Sequence, residues 1–169
     1  MCHEPRTQDF HDLLMSLNLN KESEEAEVLL LTCIDFRFFQ KIMDYIDCAG
    51  LRGKFDHVIL AGAELGPVVE FPADPKPHWK QFFIDHLALS KSLHNIKKVL
   101  VLGHRDCGAY KMFKLLPDNP DLQVEHDVHR DQATKLEALI KGFCPNLEVE
   151  WRLLELTFPG DTMNLQALS

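Results

Sequence analysis

Two uninterrupted apolar runs constrain this chain more than any other feature. Val28-Leu29-Leu30-Leu31 and Val99-Leu100-Val101-Leu102 show no polar alternation. A run of that kind suits a strand buried on both faces rather than one with a wet side. Between and after these runs lie segments with helical spacing. Strands alternating with helices imply an α/β fold: a mainly parallel central sheet of about four strands, flanked by helices on both faces. In such sheets ligands bind beyond the carboxyl ends of the strands, where the strand order reverses.

The segments can be placed in order. Residues 7–18 have Phe10, Leu13, Leu14 and Leu17 at helical spacing and read as an amphipathic helix within an N-terminal arm, 1–22. The first strand, 28–32, is followed by a helix over about 38–48 with Ile42, Met43 and Ile46 inward. A second strand is expected at 57–61. Prolines 67, 72, 75 and 77 mark a long irregular loop. The helix expected over 79–93 carries Phe82, His86, Leu89 and Leu93 on one stripe, and the third strand follows at 98–102. A helix from Gly108 should stop before Pro117, and a longer one should span about 124–141, capped by Gly142. Residues 147–156 read as an edge strand, and the tail, 157–169, has no strong pattern. The expectation is a single domain over 1–169.

Composition excludes several classes of partner. A net charge of −8 with no basic block argues against nucleic acid and anionic membrane surfaces. No apolar run reaches the roughly 18–20 residues that a membrane span needs. The first residues show no basic segment leading into an apolar one, so no secretory signal is read and the cytoplasm is the expected compartment. Five unevenly spaced cysteines, 2, 33, 48, 107 and 144, then suggest metal binding, catalysis or burial rather than a disulfide framework.

The chemistry gathers at strand ends. His104 and Cys107 follow the third strand, and Cys33 ends the first. If those strands are neighbours, a thiol, an imidazole and a second thiol meet at one switch point, a donor set suited to tetrahedral zinc. Three ligands leave a fourth position, for water in a catalytic site or for a protein ligand in a closed one. Asp35 and Arg37 lie two and four residues beyond Cys33. A guanidinium keeps a carboxylate ionised and oriented. Asp35 is therefore placed either to accept a hydrogen bond from water at the fourth position or to fill that position itself.

Cys33-x-Asp35-x-Arg37 followed by His104-x-x-Cys107-Gly108 resembles the beta-class carbonic anhydrases. The resemblance runs from about Val28 to Tyr110 and includes the Ala61-Gly62 turn. It implies one zinc ion per chain, held by Cys33, His104 and Cys107, with Asp35 and Arg37 as the catalytic dyad. It implies zinc-dependent, reversible hydration of CO2 to bicarbonate by zinc-bound hydroxide. It also implies a homodimer or higher homo-oligomer, with the N-terminal arm embracing the partner. Two thiolates would offset the metal's charge, so hydration should rise through mildly alkaline pH. The sequence departs from the family at Ile59-Leu60, where Arg-Asn is usual, and at Ala63, where Asn is usual. Relatives that hydrolyse carbonyl sulfide or carbon disulfide use a similar zinc site, which gives a second reading. A zinc-holding scaffold without turnover is a third.

Other residues read as structural. Asp106 is expected as a turn or cap residue, Cys48 as a small buried side chain, and Cys2 and Cys144 in the same way. His126 and His129, beside Glu125 and Asp127, read as a solvated polar helix face in preference to a second metal site. His86 reads as a core or interface histidine. Trp79 and Phe83 read as packing residues, and Gly62 and Gly66 as marks of a tight turn or a close approach.

Overall fold

Strand β1 (Val28–Thr32) is central because every one of its side chains is buried. In the computed structural model, which describes residues 25–70, 76–157 and 162–167, it lies between two parallel partners. These are β2 (Phe55–Ile59) and β3 (Lys98–His104). On the far side of β3 lies β4 (Glu148–Thr157), also parallel. The chain turns back into β5 (Thr162–Ala167), antiparallel to β4. Among the described residues the sheet therefore runs β2-β1-β3-β4-β5. The expected parallel core of four strands is present, with one antiparallel strand added. Residues 147–156 do not form an edge, because β4 is paired on both sides. The N-terminal helix expected at 7–18 lies outside the described residues.

Alternation along the strands sorts the core into two layers. Leu29 and Leu31 of β1, with Val99 and Val101 of β3, face Phe83 and Leu87 of α2 (Pro77–His94) and Ala133, Leu136 and Ile140 of α4 (Leu122–Phe143). Val28, Leu30, Leu100 and Leu102 point the other way, onto Phe38 and onto Ile42 and Ile46 of α1 (Phe39–Cys48). Each strand is thus wetted on neither face, as its composition requires. Helix α4 starts at Asp121, whose carboxylate accepts from the Gln123 and Val124 amides at 2.8 and 3.4 Å. That satisfies two of the amides a helix start leaves unpaired.

Several local expectations are corrected. In α2 the stripe Phe82, Leu89 and Leu93 is exposed, at 41%, 53% and 63%, while Phe83, Leu87 and Ser90 are buried. The helix is apolar on two faces, so spacing alone could not choose between them. Its rotation agrees with a contact outside the pattern, the Ser90 hydroxyl donating to Asp56 Oδ2 at 2.6 Å. His86 sits on the exposed face, where its Nδ1 bonds the Phe82 carbonyl at 2.8 Å. Helix α4 continues through Gly142 to Phe143, so Gly142 is not its cap. Helix α3 (Gly108–Met112) is shorter than expected, ending ahead of Lys114 at φ +57°. Cys48 is exposed. Part of the proline-rich stretch is regular: Pro67 lies in a 3-10 helix, Ala63–Val68, and Pro77 begins α2, where its missing amide costs nothing.

Candidate metal centre

The strand order places the chemistry. The chain runs outward from β1 to β2 and then returns to β3 on the other flank of β1, so the order reverses between β1 and β3. Their register pairs Thr32 with Leu102. Cys33 leaves the end of β1 as His104 ends β3, and Cys107 occupies the cap position before α3. The nearest donor atoms of Cys33, His104 and Cys107 all lie within 4.8 Å of one another.

Their geometry fits a metal. The two sulfurs are 3.9 Å apart, far too distant for a disulfide. Two Zn–S bonds of about 2.3 Å at a tetrahedral angle would put them about 3.8 Å apart. His104 is buried and tilted against the Phe38 ring, with centroids 4.3 Å apart. Its Nδ1 bonds the Arg105 carbonyl at 2.8 Å, which places the proton there. Its Nε2 is buried and has no hydrogen-bond partner among the described residues. An imidazole lone pair held this way toward two sulfurs is the expected state of a ligand, and a costly one otherwise.

The sulfurs are electrostatically prepared. The Cys33 thiol is pulled well below its ordinary range, chiefly because the Cys107 thiol donates to it, against the opposing cost of burial. His104 and the Gly62 amide, 3.3 Å from Cys33 Sγ, add to the effect. Cys107 is held up by the Cys33 thiolate and by burial, so the pair shares one negative charge. A dication would displace the remaining proton. Gly62 is needed where it stands. Its φ is +79°, and a Cβ there would lie 3.1 Å from Leu65 Cβ and 3.2 Å from Ala109 Cβ.

Asp35 and Arg37 meet beside this cluster. Asp35 Oδ2 accepts from Arg37 Nη2 at 2.6 Å and from Nε at 3.1 Å, and Oδ1 accepts from Nε and from the Arg37 amide, both at 3.0 Å. The guanidinium holds the Asp35 carboxyl below its ordinary range. Oδ2 is also 3.7 Å from His104 Nε2.

Sequence reasoning passed over several residues that support this arrangement. Asp106 is more than a turn residue. Its Oδ2 accepts from Arg37 Nη1 at 3.1 Å, and its carbonyl from Nη2 at 3.3 Å. Glu125, placed by its neighbours on a solvated face, is 3% exposed. Its Oε1 accepts from the Asp106 amide at 2.7 Å, and its Oε2 from Arg105 Nη1 at 3.0 Å. His129 is fully buried and bonds through Nδ1 to Glu64, whose Oε1 also accepts from Tyr110 at 2.8 Å. His126 is half-buried and does not join them in a second metal cluster among the described residues. A usable signal for Glu64 was available: it is a lone carboxylate in the apolar stretch 61–69. Leu60 of the altered Ile59-Leu60 pair packs in the core, while Ile59 is 44% exposed at the end of β2.

Comparison with solved structures defines the fold. A carbonic anhydrase from Glaciozyma antarctica superposes with a TM-score of 0.53 at 15% identity, covering 99% of this chain and 98% of that one. The beta-carbonic anhydrase CafA of Aspergillus fumigatus gives 0.54 at 14% identity, covering 96% and 84%. The fold is that of the beta-carbonic anhydrases, with a Cys-His-Cys cluster able to hold a metal. No family model matches the sequence. The chain belongs to the same family as a protein of Rickettsia bellii, described as uncharacterized. The two are 35% identical over 138 residues, 80% of each chain.

Proposed function

We propose that this protein is a zinc-dependent carbonic anhydrase, catalysing the reversible hydration of CO2. The observation that carries the reading is the placement of the Asp35–Arg37 pair. Asp35 Oδ2 stands 3.7 Å from the unpartnered Nε2 of His104, beside two sulfurs 3.9 Å apart. Cys33, His104 and Cys107 would hold the metal. When bound there, zinc supplies the Lewis acidity that makes water a nucleophile near neutral pH. Asp35, kept ionised and fixed by Arg37, would stand ready to accept a hydrogen bond from a water activated there. Ile34 and Phe36, on either side of Asp35 in the chain, and Ile59 are exposed and apolar, which favours a small uncharged substrate.

The same reading makes residues 1–169 one domain with one zinc per chain, working in the cytoplasm. No helix among the described residues is long and apolar enough to cross a membrane. Exposed Phe36, Phe39 and Ile59 favour a covering partner, in keeping with a homodimer or higher homo-oligomer.

Stopped-flow CO2 hydration on protein of measured zinc content tests the proposal. The wild type is expected to hydrate CO2 only with zinc bound. Asp35→Ala is expected to keep one zinc per chain and lose about a hundredfold or more in kcat. A wild type that holds one zinc per chain yet shows no hydration above buffer would refute the enzyme. Sulfide release from carbonyl sulfide, assayed in parallel, would then move the substrate to the sulfur analogue.

A further inference from the structure

Glu125 is nearly fully buried and lies 90 residues from Asp35 in the chain, yet a continuous line of contacts joins them. Glu125 Oε1 accepts from the Asp106 amide at 2.7 Å. Asp106 in turn holds Arg37 twice, through Oδ2 at 3.1 Å and through its carbonyl at 3.3 Å. Arg37 grips Asp35 through both carboxylate oxygens. The line ends at Asp35 Oδ2, 3.7 Å from His104 Nε2.

One link in this line has an uncommon backbone. Asp106 has φ +56°, a left-handed conformation that few non-glycine residues adopt and that aspartate tolerates better than most. The buried Glu125 carboxylate, accepting from the Asp106 amide, fixes the backbone there. Glu125 is fixed in its turn by Arg105 Nη1 at 3.0 Å, whose Nη1 also donates to the Leu122 carbonyl at 3.0 Å. The Arg105 amide is tied to the Leu154 carbonyl of β4 at 2.9 Å. The Asp106 side chain alone is a poor anchor, since it is 60% exposed and also contacts Lys111. What makes it rigid is the backbone beneath it.

We infer that Glu125 is a positioning residue for the Asp35–Arg37 pair, acting through the backbone of Asp106. The inference rests on the reading given above, in which that pair works beside the metal. The carboxylate charge at 125 matters because both of its oxygens accept hydrogen bonds. A glutamine would point its amide group at a donor in either orientation, facing the Asp106 amide or the Arg105 guanidinium. The Asp106 amide then either loses its acceptor or keeps one that Arg105 no longer fixes, the support that Asp106 gives Arg37 loosens, and Asp35 is held less firmly beside His104 Nε2.

The test is a double-mutant cycle of Glu125→Gln with Asp35→Ala, read in both activity and spectrum. In the wild-type background E125Q is expected to lower kcat about ten- to hundredfold, with KM and zinc content unchanged, as loss of a supporting hydrogen bond at a metal site typically does. In the Asp35→Ala background it is expected to cost nothing more. A purely structural role would subtract the same factor in both backgrounds, and that result, or E125Q activity within twofold of wild type, would overturn the inference. The cobalt(II)-substituted proteins give a readout independent of turnover. Their visible bands report the fourth position and are expected to differ between wild type and E125Q at equal cobalt content. If the wild type hydrates no CO2, differing bands keep Glu125 as a positioning residue while the enzymatic reading falls, and identical bands overturn both. Should E125Q fail to fold, Glu125→Asp keeps the charge but shortens the reach to the Asp106 amide and Arg105, and must show the same dependence on Asp35.

Discussion

Cys33→Ser and Cys107→Ser are each expected to reduce zinc affinity at least about a hundredfold, leaving the purified chain with little zinc. The two sulfurs stand 3.9 Å apart, close to the spacing a shared tetrahedral ion requires. A serine hydroxyl offers a shorter reach and no thiolate, so neither variant can keep both contacts. Cys144→Ser is the control, because Cys144 is half-buried against the α2 and α4 side of the core and is not in the cluster. Zinc measured after gel filtration through a weak chelator checks the prediction. Full zinc retention in either site variant would remove that cysteine from the ligand set. His104→Ala should behave in the same way, but it also empties the space beside Phe38 and would combine two effects.

Gly103→Ala is expected to be the most damaging small substitution in the sheet. A Cβ at 103 would lie 2.6 Å from both oxygens of Glu64 and 2.9 Å from Cδ. Glu64 cannot step aside cheaply. It is fully buried, with Tyr110 and His129 bonded to its Oε1. Moving it would break hydrogen bonds in a place that water cannot repair, at a cost of about 3 kcal/mol or more. For a chain of this size that corresponds to a fall in Tm of about 6–12 °C. The damage should also reach the metal, since residue 103 immediately precedes His104. Thermal unfolding of G103A, of Glu64→Ala and of the double variant checks this. The substitution at 103 should cost much less once Glu64 is gone. Equal costs in both backgrounds would show that the carboxylate is not what excludes a side chain at Gly103.

The sheet was legible in the sequence where its chemistry was one-sided. Val28 to Leu31 and Val99 to Leu102 are apolar without interruption, and only a strand covered on both faces accommodates that. The final strand was not legible, because Thr162 to Ala167 mixes polar and apolar residues and pairs along one flank only. Without it, β4 looked like an edge. The rotation of α2 was ambiguous for a different reason. Phe82 and Phe83 begin two stripes of similar apolarity, and the Ser90–Asp56 contact belongs to the buried one. The motif residues Cys33, Asp35, Arg37, His104 and Cys107 stood out because their spacing is local. Asp106, Glu125 and Glu64 did not. Each owes its role to a partner far away in the chain, and no local spacing announces a hydrogen bond across 46 or 69 positions.

Seventy-four positions separate Cys33 from Cys107. A metal held by both would close that whole stretch into a loop, and the loop contains α1, β2, the 3-10 helix, α2 and β3. In polymer terms such an ion would act as a staple. A cross-link over so long a segment removes unfolded-chain entropy equivalent to about 4 kcal/mol in the chain-entropy model. The two central strands meet without a covalent tie, and their carboxyl ends, where β1 and β3 pass into turns, are where fraying would otherwise begin. An ion serving the chemistry would thus also fasten the seam between the first strand and the third.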